Sequence, residues 1–304
     1  MGDSNKIQPH SLAAWLAFIR PKTFGIAIAP VIAALSLVFF ESNKINFVTA
    51  FFTLTIALIM QIISNMKNDL GYTERKAEKS NRRGLPRATA SGWISLPMAK
   101  AAIAWMIVLG LLNTAILVYF GGWGFATIGI ASIIAAYAYM GGPKPIAYTP
   151  FGELTVLIFF GLTAVCGSYY LQNQTISMNA ILLGLALGAV AALVLSVNNW
   201  RDREHDLSVH RHTLAVVMTA NSFLLLIRVL LIIPFAAVIT MTIQNPALWP
   251  SLLVLALIPD AVRIPKELTQ KKHEELNETM FACVQLELKF SILFSAGAFL
   301  AKYL

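Results

Sequence analysis

A chain of 304 residues that is 57% hydrophobic and only 12% charged carries about half the charge of an ordinary soluble domain, which excludes a water-soluble globular enzyme. Its net charge of +8 comes without aromatic-interleaved basic stretches, so no nucleic-acid partner is expected, and two cysteines are too few for a disulfide framework. Apolar runs near 20 residues recur along the whole length, each long enough to cross a hydrocarbon core of about 30 Å; with no alternating strands present, the class is all-α and integral to the lipid bilayer.

In chain order, residues 1–22 lack an A-x-A cleavage pattern. Within them "SLAAWLAFIR" puts Leu12, Trp15, Leu16 and Ile19 on one helical face, an N-terminal interfacial segment lying on the inner leaflet. Nine spans are predicted, over 23–41, 46–66, 97–119, 123–140, 151–171, 176–199, 214–242, 247–263 and 281–303. The seventh starts at 214 or nearer Met218. Cys166 and Cys283 fall inside spans. Lys and Arg collect before span one and after spans two, four, six and eight, whereas Lys44 and Lys302 stand alone on the other side. That skew predicts an N-in, C-out topology. Arg228 and Lys289 lie within spans, and Arg228 is expected to pair with Asp260 or Glu287. "RIPKELTQKKHEELNETM", before the last span, reads as an amphipathic inner-surface helix, either a cover for a site or an interfacial anchor.

Two inside connections are chemically rich: Ser64–Gly92 and Asn198–Thr213. They follow spans two and six, so the chain divides into two pseudo-repeated halves, each a helix ending in an Asn/Asp cluster and a basic loop. In "NNWRDREHD", Asp202 and Asp206 share a helical face, with Asn198 and Asn199 one turn earlier. Paired carboxylates and amides are hard oxygen ligands suited to Mg²⁺, which in such sites bridges to phosphate oxygens. His205 and His212 read as loop histidines, since Mg²⁺ prefers oxygen. In "SNMKNDLGYTERK", Asn65 and Asp69 are one turn apart, as are Asn68 and Tyr72. Downstream Arg82, Arg83 and Arg87 offer guanidinium forks for a diphosphate, or act as positive-inside anchors. An anionic head held at the surface beside an apolar interior describes an isoprenyl diphosphate.

These residues resemble the UbiA-type intramembrane aromatic prenyltransferases, and within them the branch that prenylates 1,4-dihydroxy-2-naphthoate in menaquinone synthesis. The resemblance is carried by "RPKT" at 20–23, "SNMKND" at 64–69, "GGPKPIAYTPFGELTVLIFFGLTAVCGSYYLQ" at 141–172 and "NNWRDREHD" followed by "RHTLAV" at 198–216. It implies one domain over 1–304, nine helices around a central cavity, and a bacterial inner membrane with the site facing the cytoplasm. It implies Mg²⁺ held by Asn68, Asp69, Asp202 and Asp206, with Arg201 beside them as a catalytic group, and substrate contacts from Asn65, Asn198, Asn199 and Arg211 together with the residues of the first loop. Tyr72 and Lys76 stand where that family's first motif, NDxxDxxxD, has acids, so one expected metal ligand is missing; Asp69, Glu74 and Glu78 are the acids available to compensate. The aromatic acceptor is expected near Lys144, Tyr148, Glu153 and Tyr169, although tyrosines are also common at membrane interfaces. The alternatives are another acceptor such as a quinolone or hydroxybenzoate, a catalytically impaired prenyl-lipid binder, or a small polytopic transporter.

Overall fold

The computed structural model describes residues 7–78 and 84–304; Arg82 and Arg83 lie outside the described residues. Among these, every regular element is helical. Helix α1 (Leu12–Ile19) is capped by Ser11, whose side chain accepts from the Ala14 amide. It turns Ala14 and Phe18 inward, against Met66, Leu70 and Ile94, and leaves Leu12 and Leu16 exposed. Of the stripe expected to face lipid, Leu12 and Leu16 are therefore free to lie on a bilayer, whereas Trp15 and Ile19 are partly buried against the same core.

The long helices are α2 (Phe24–Ser42), α3 (Phe47–Glu74), α4 (Leu96–Gly121), α5 (Trp123–Ala138), α6 (Gly152–Asn173) and α7 (Met178–Arg201). A short α8 (Arg203–Ser208) then precedes α9 (Ala220–Gln244), α10 (Pro246–Gln270) and α11 (Leu276–Tyr303). Eight helices among the described residues are long and apolar enough to cross a membrane; α5, with 16 residues, is a shorter apolar helix. At 1.5 Å per residue it rises about 24 Å, short of the hydrocarbon thickness.

Two expected boundaries and one expected pairing are refined. The seventh span starts at Ala220, next to the later of its two expected starts, because Thr219 accepts from the Ser222 amide and caps the helix, leaving Leu214–Val217 as a separate turn. The predicted amphipathic helix before the last span is divided between the end of α10 and the start of α11, joined through a 3₁₀ turn at His273–Glu275. Arg228 is exposed on α9, and its expected partner Asp260 is taken instead by Lys289 at 2.8 Å.

Helix α7 is the axle, buried along most of its length between α6, α9 and α11. Its approach to α6 needs glycine: a Cβ on Gly161 would lie 2.3 Å from both the Gly184 carbonyl and the Gly188 Cα. Small residues at such a crossing let two backbones touch where lipid offers no hydrophobic drive. At the same place α6 loosens into a π-helix over Leu157–Thr163, a distortion that re-aims side chains and is frequent at functional sites. Phe159, Phe160 and Thr163 from this stretch all face one central cavity.

Candidate active site

That cavity has a volume of about 900 Å³ and is walled by α2, α3, α5, α6, α7 and the start of α11. Its walls are mostly apolar. On α5, Phe125, Ile128, Gly129, Ser132, Ala135, Ala136 and Tyr139 all face it, the i, i+3, i+4, i+7 stripe of one helical face. The deep end stops at Phe125, which packs with Leu117 and Leu171. From Phe125 to Tyr139 the helix rises about 21 Å. The other end is polar: Arg20, Lys22, Thr23, Gln61, Asn65, Asn68, Arg87, Asn198 and Arg201 line it. Four cationic side chains thus ring the mouth of a greasy chamber.

The first cluster is built on the end of α3. Asn65 donates to the Ile19 carbonyl and to Thr23 Oγ1, both at 2.9 Å, and Gln61 donates to the same hydroxyl at 3.0 Å. These bonds hold the 20–23 link on α3 and bring Arg20 and Lys22 to the mouth. Asp69 is fully buried and does not reach the cavity wall. Its Oδ2 accepts from the Ala88 amide at 2.9 Å and from Arg20 at 3.4 Å. Its Oδ1 accepts from the Thr89 amide at 2.9 Å and the Thr89 hydroxyl at 2.7 Å. Asp69 anchors the 87–89 turn, which carries Arg87 to the cavity.

The second cluster follows α7. Arg201 donates to both oxygens of Asp202, at 3.0 and 2.6 Å, to Asn198 Oδ1 at 2.8 Å and to Asn277 Oδ1 at 2.6 Å. The start of α11 therefore does cover part of the site. Asp206, fully buried, accepts from Arg211 at 2.7 Å through Oδ1. His205, expected in a loop, lies buried in α8; its Nε2 donates to the Ala77 carbonyl at 2.8 Å.

The two halves meet at Tyr72. Its ring lies under the Arg87 guanidinium at 4.2 Å and beside that of Arg211 at 5.2 Å, and it stacks with His205 at 6.2 Å. Arg211 also donates to the Tyr72 hydroxyl. Burial alone would lower the pKa of Arg211, but Tyr72 and Asp206 outweigh it and raise it above the ordinary guanidinium value. Burial raises the phenol of Tyr148, which sits 5.6 Å from Arg211 and 5.4 Å from Arg75.

Other expected site residues separate from this centre. Glu74 is held by Lys67 at 3.0 Å and Lys100 at 3.1 Å, so it does not replace the missing acid. Glu78 approaches Arg87 at 4.0 Å. Lys144 is exposed in the loop before α6 and is not part of the cavity wall. Glu153 is buried and accepts from Asn199 at 2.9 Å, behind the wall. Tyr169 lies at the opposite end of the bundle, donating to Glu41, which also accepts from Asn179 at 2.9 Å. It follows Glu153 along α6 by about 24 Å of helix rise, which counting along the predicted fifth span would already have shown. The residues missed are Arg20, Lys22, Gln61, Tyr139 and Asn277. For Arg20 and Lys22 a signal was present, since "RPKT" puts two cations at the entry of an apolar helix.

Mg²⁺ can be tested against these donors. Asp206 Oδ2 is buried with no hydrogen-bond partner, and a buried carboxylate oxygen of that kind calls for a cation or a donor. Asn68 and Asn198 bring carboxamides to the cavity, while the carboxylates of Asp202 and Asp206 lie behind its wall, each paired with an arginine. These are hard oxygen donors that fit a divalent cation. Among the described residues no three His, Cys, Asp or Glu side chains converge as a ready-made metal cluster. Phosphate oxygens and water would therefore complete the shell, as is usual for Mg²⁺.

Over residues 27–290 the chain matches a family model described as the UbiA prenyltransferase family. The 1,4-dihydroxy-2-naphthoate octaprenyltransferase of Haemophilus influenzae is 29% identical over 302 residues, covering 97% of this chain and 98% of the relative. The Escherichia coli protein of the same description is 35% identical over 209 residues, 67% of this chain and 68% of the relative. A 2-carboxy-1,4-naphthoquinone phytyltransferase from Synechocystis is 24% identical over 98% of both. Among solved structures, a UbiA homologue from Archaeoglobus fulgidus bound to GPP and Mg²⁺ aligns with a TM-score of 0.68 at 17% identity, covering 96% of this chain and 100% of that one. At that identity the likeness speaks for the fold.

Proposed function

Because the chain belongs to the UbiA prenyltransferase family, we propose that it transfers a polyprenyl group from polyprenyl diphosphate to 1,4-dihydroxy-2-naphthoate, with loss of CO₂, to give a demethylmenaquinol. The observation that carries this reading is the ring of Arg20, Lys22, Arg87 and Arg201 at the mouth of the apolar cavity. Guanidinium forks suit a diphosphate, and a dry apolar chamber suits its prenyl tail. Names borne by the relatives favour the naphthoate acceptor.

The allylic C–O bond breaks with its electron pair moving to the diphosphate, whose growing charge Arg20, Lys22, Arg87 and Arg201 stabilise. Such preorganised electrostatics is the largest contribution to expect in a water-poor site. Mg²⁺, when bound by Asp202, Asp206 and Asn68, supplies further charge to the leaving group. Asn198 and Asn277 orient Arg201, and Asp69 orients Arg87 through the 87–89 turn. The acceptor ring carbon then bonds the allylic carbon, and its carboxylate leaves as CO₂, returning the electron pair to the ring. Tyr139, at the polar end of the α5 stripe, gives an aromatic face for the cationic carbon.

The chain crosses a bacterial inner membrane nine times, with α5 as the short fourth crossing and the N-terminus and the site toward the cytoplasm. The alternation of basic connections supports that orientation. Residues 1–304 act as a single domain. Mass spectrometry of products from purified protein, Mg²⁺, dihydroxynaphthoate and prenyl diphosphates of several lengths tests the reaction. A prenylated naphthoquinol with release of CO₂ is expected, and transport of the donor without product would sink the reading.

The cavity also sets an expectation for tail length. An extended chain spans about 3.6 Å per three backbone bonds, so a four-bond isoprene unit spans about 5 Å and about four units fill the depth to Phe125. A longer tail has to fold back or leave between helices. Ser132 faces the cavity about midway along α5. Ser132→Phe should shift the ratio of kcat/KM for geranyl over octaprenyl donors at least about tenfold toward the short one, since each excluded CH₂ forfeits about 0.8 kcal/mol. An unchanged ratio would show that the tail does not run along α5.

A further inference from the structure

We propose that Tyr72 is a positioning residue: its ring holds the Arg87 guanidinium by the face and leaves the N–H fork to the diphosphate. The proposal deepens the diphosphate-site reading above and rests on the role given there to Arg87. Tyr72 thus has a task of its own where an acid was expected.

Of the cations at the cavity mouth, Arg20 and Arg201 are gripped by carboxylates, Asp69 at 3.4 Å and Asp202 at 2.6 Å. Arg87 is held differently. It is 3% exposed and still forms part of the cavity wall. The Asp69 bonds to Ala88 and Thr89, and the 2.7 Å contact between the Thr73 and Thr89 hydroxyls, fix the turn that carries it. They fix its backbone. A long, flexible side chain separates that backbone from the guanidinium, and ordering such a chain costs rotamer freedom. What meets the guanidinium is the Tyr72 ring, whose centroid lies 4.2 Å from the central carbon. The Glu78 carboxylate stands 4.0 Å from Nε, beyond hydrogen-bond reach.

An aromatic face attracts a guanidinium through its quadrupole and offers no lone pairs to the N–H fork. The donors that match phosphate oxygens in pairs stay available. A carboxylate at position 72 would take that fork for itself, in competition with the diphosphate. The ring is in turn set by the second polar connection. Its hydroxyl accepts from Arg211, which also donates to Asp206 Oδ1 at 2.7 Å and to the Ala147 carbonyl at 3.2 Å. His205 stacks with the ring at 6.2 Å and 18°. Asp206 therefore reaches Arg87 through Arg211 and Tyr72, a path by which the second half of the chain orients a cation carried by the first.

The test changes the charge distribution of the ring and keeps its shape. Tyr72→Phe and its singly, doubly and triply fluorinated forms are made in the wild-type and the Arg87→Ala chain. The Kd of inorganic pyrophosphate is measured by calorimetry on purified protein in detergent with Mg²⁺. Fluorine drains negative potential from the ring face, so Kd should climb stepwise, by about tenfold over the series. In the Arg87→Ala background the trend should vanish. Packing alone gives a flat series, because the variants share one shape, and a flat series overturns the proposal. An equal slope without Arg87 also overturns it, since the ring then acts through Arg211. If Arg87→Ala binds pyrophosphate as tightly as the wild-type chain, Arg87 is no diphosphate ligand and the proposal falls with that reading. Weakened binding in Arg87→Ala beside a flat fluorine series sinks the proposal alone, so the two failures are distinguishable.

Discussion

Changing Asp202 and Asp206 together to asparagine should slow prenyl transfer by about 10²–10³-fold or more, the cost of removing one preorganised charge-stabilising element, about 2.7–4 kcal/mol in the barrier. Asparagine keeps the shape but not the charge. Arg201 would lose the carboxylate that grips it at 2.6 and 3.0 Å, and the layer behind the cavity mouth would lose two acids that suit a hard cation. Because Asp206 is the buried partner of Arg211, the double change also costs stability, so thermal unfolding has to be followed beside turnover. The single Asp202→Asn variant separates the two effects. Its carboxylate pairs with an arginine that lines the cavity, so most of its penalty should fall on turnover. Product formation within about threefold of wild type in the double variant would remove the aspartates from the chemistry.

The fold was legible because lipid leaves few options. Apolar runs bounded by polar turns gave most spans to within a few residues, and the start of the seventh span stayed open between 214 and Met218 because a single Thr N-cap inside "HTLAVVMTANS" looks like more apolar helix. The meeting of the two polar connections was legible too, since both follow helices that end on the same side. Which side chain does what within that meeting was not. Asp69 reads as a ligand because it stands in an Asn/Asp run, yet its partners are amides about twenty residues onward, and no local pattern reports a long-range cap. Tyr72 reads as a lost ligand. Only the fold brings it to Arg211, far away in sequence. Arg20 is visible in the sequence only as part of "RPKT"; it meets Asp69 because α1 ends on it in the left-handed conformation, at φ 56°. Charged residues inside the site were thus found by type while their protein partners stayed hidden, because burial and pairing belong to the tertiary structure.

Asp69 gives the second large expectation, in stability and not in metal affinity. Its carboxylate collects two backbone amides, a hydroxyl and the Arg20 guanidinium at zero exposure. Asp69→Ala would leave two buried N–H groups without an acceptor and weaken the hold on a cation. Breaking a buried charged network in this way costs about 3–5 kcal/mol, a large share of the ~5–15 kcal/mol that holds a typical domain together. Asp69→Asn is the sharper probe. Its carbonyl can keep the Thr89 contacts, but its NH₂ would face the Ala88 amide and Arg20, donor against donor. The 87–89 turn should loosen, Arg87 should lose its place above Tyr72, and KM for the prenyl diphosphate should rise several-fold while the Mg²⁺ concentration giving half-maximal rate stays the same. A metal ligand behaves the other way: the Mg²⁺ requirement climbs tenfold or more and the unfolding temperature barely moves. Measuring the Mg²⁺ dependence and the unfolding temperature on the same preparation therefore decides between a residue that touches the metal and one that holds up the loop which touches the diphosphate.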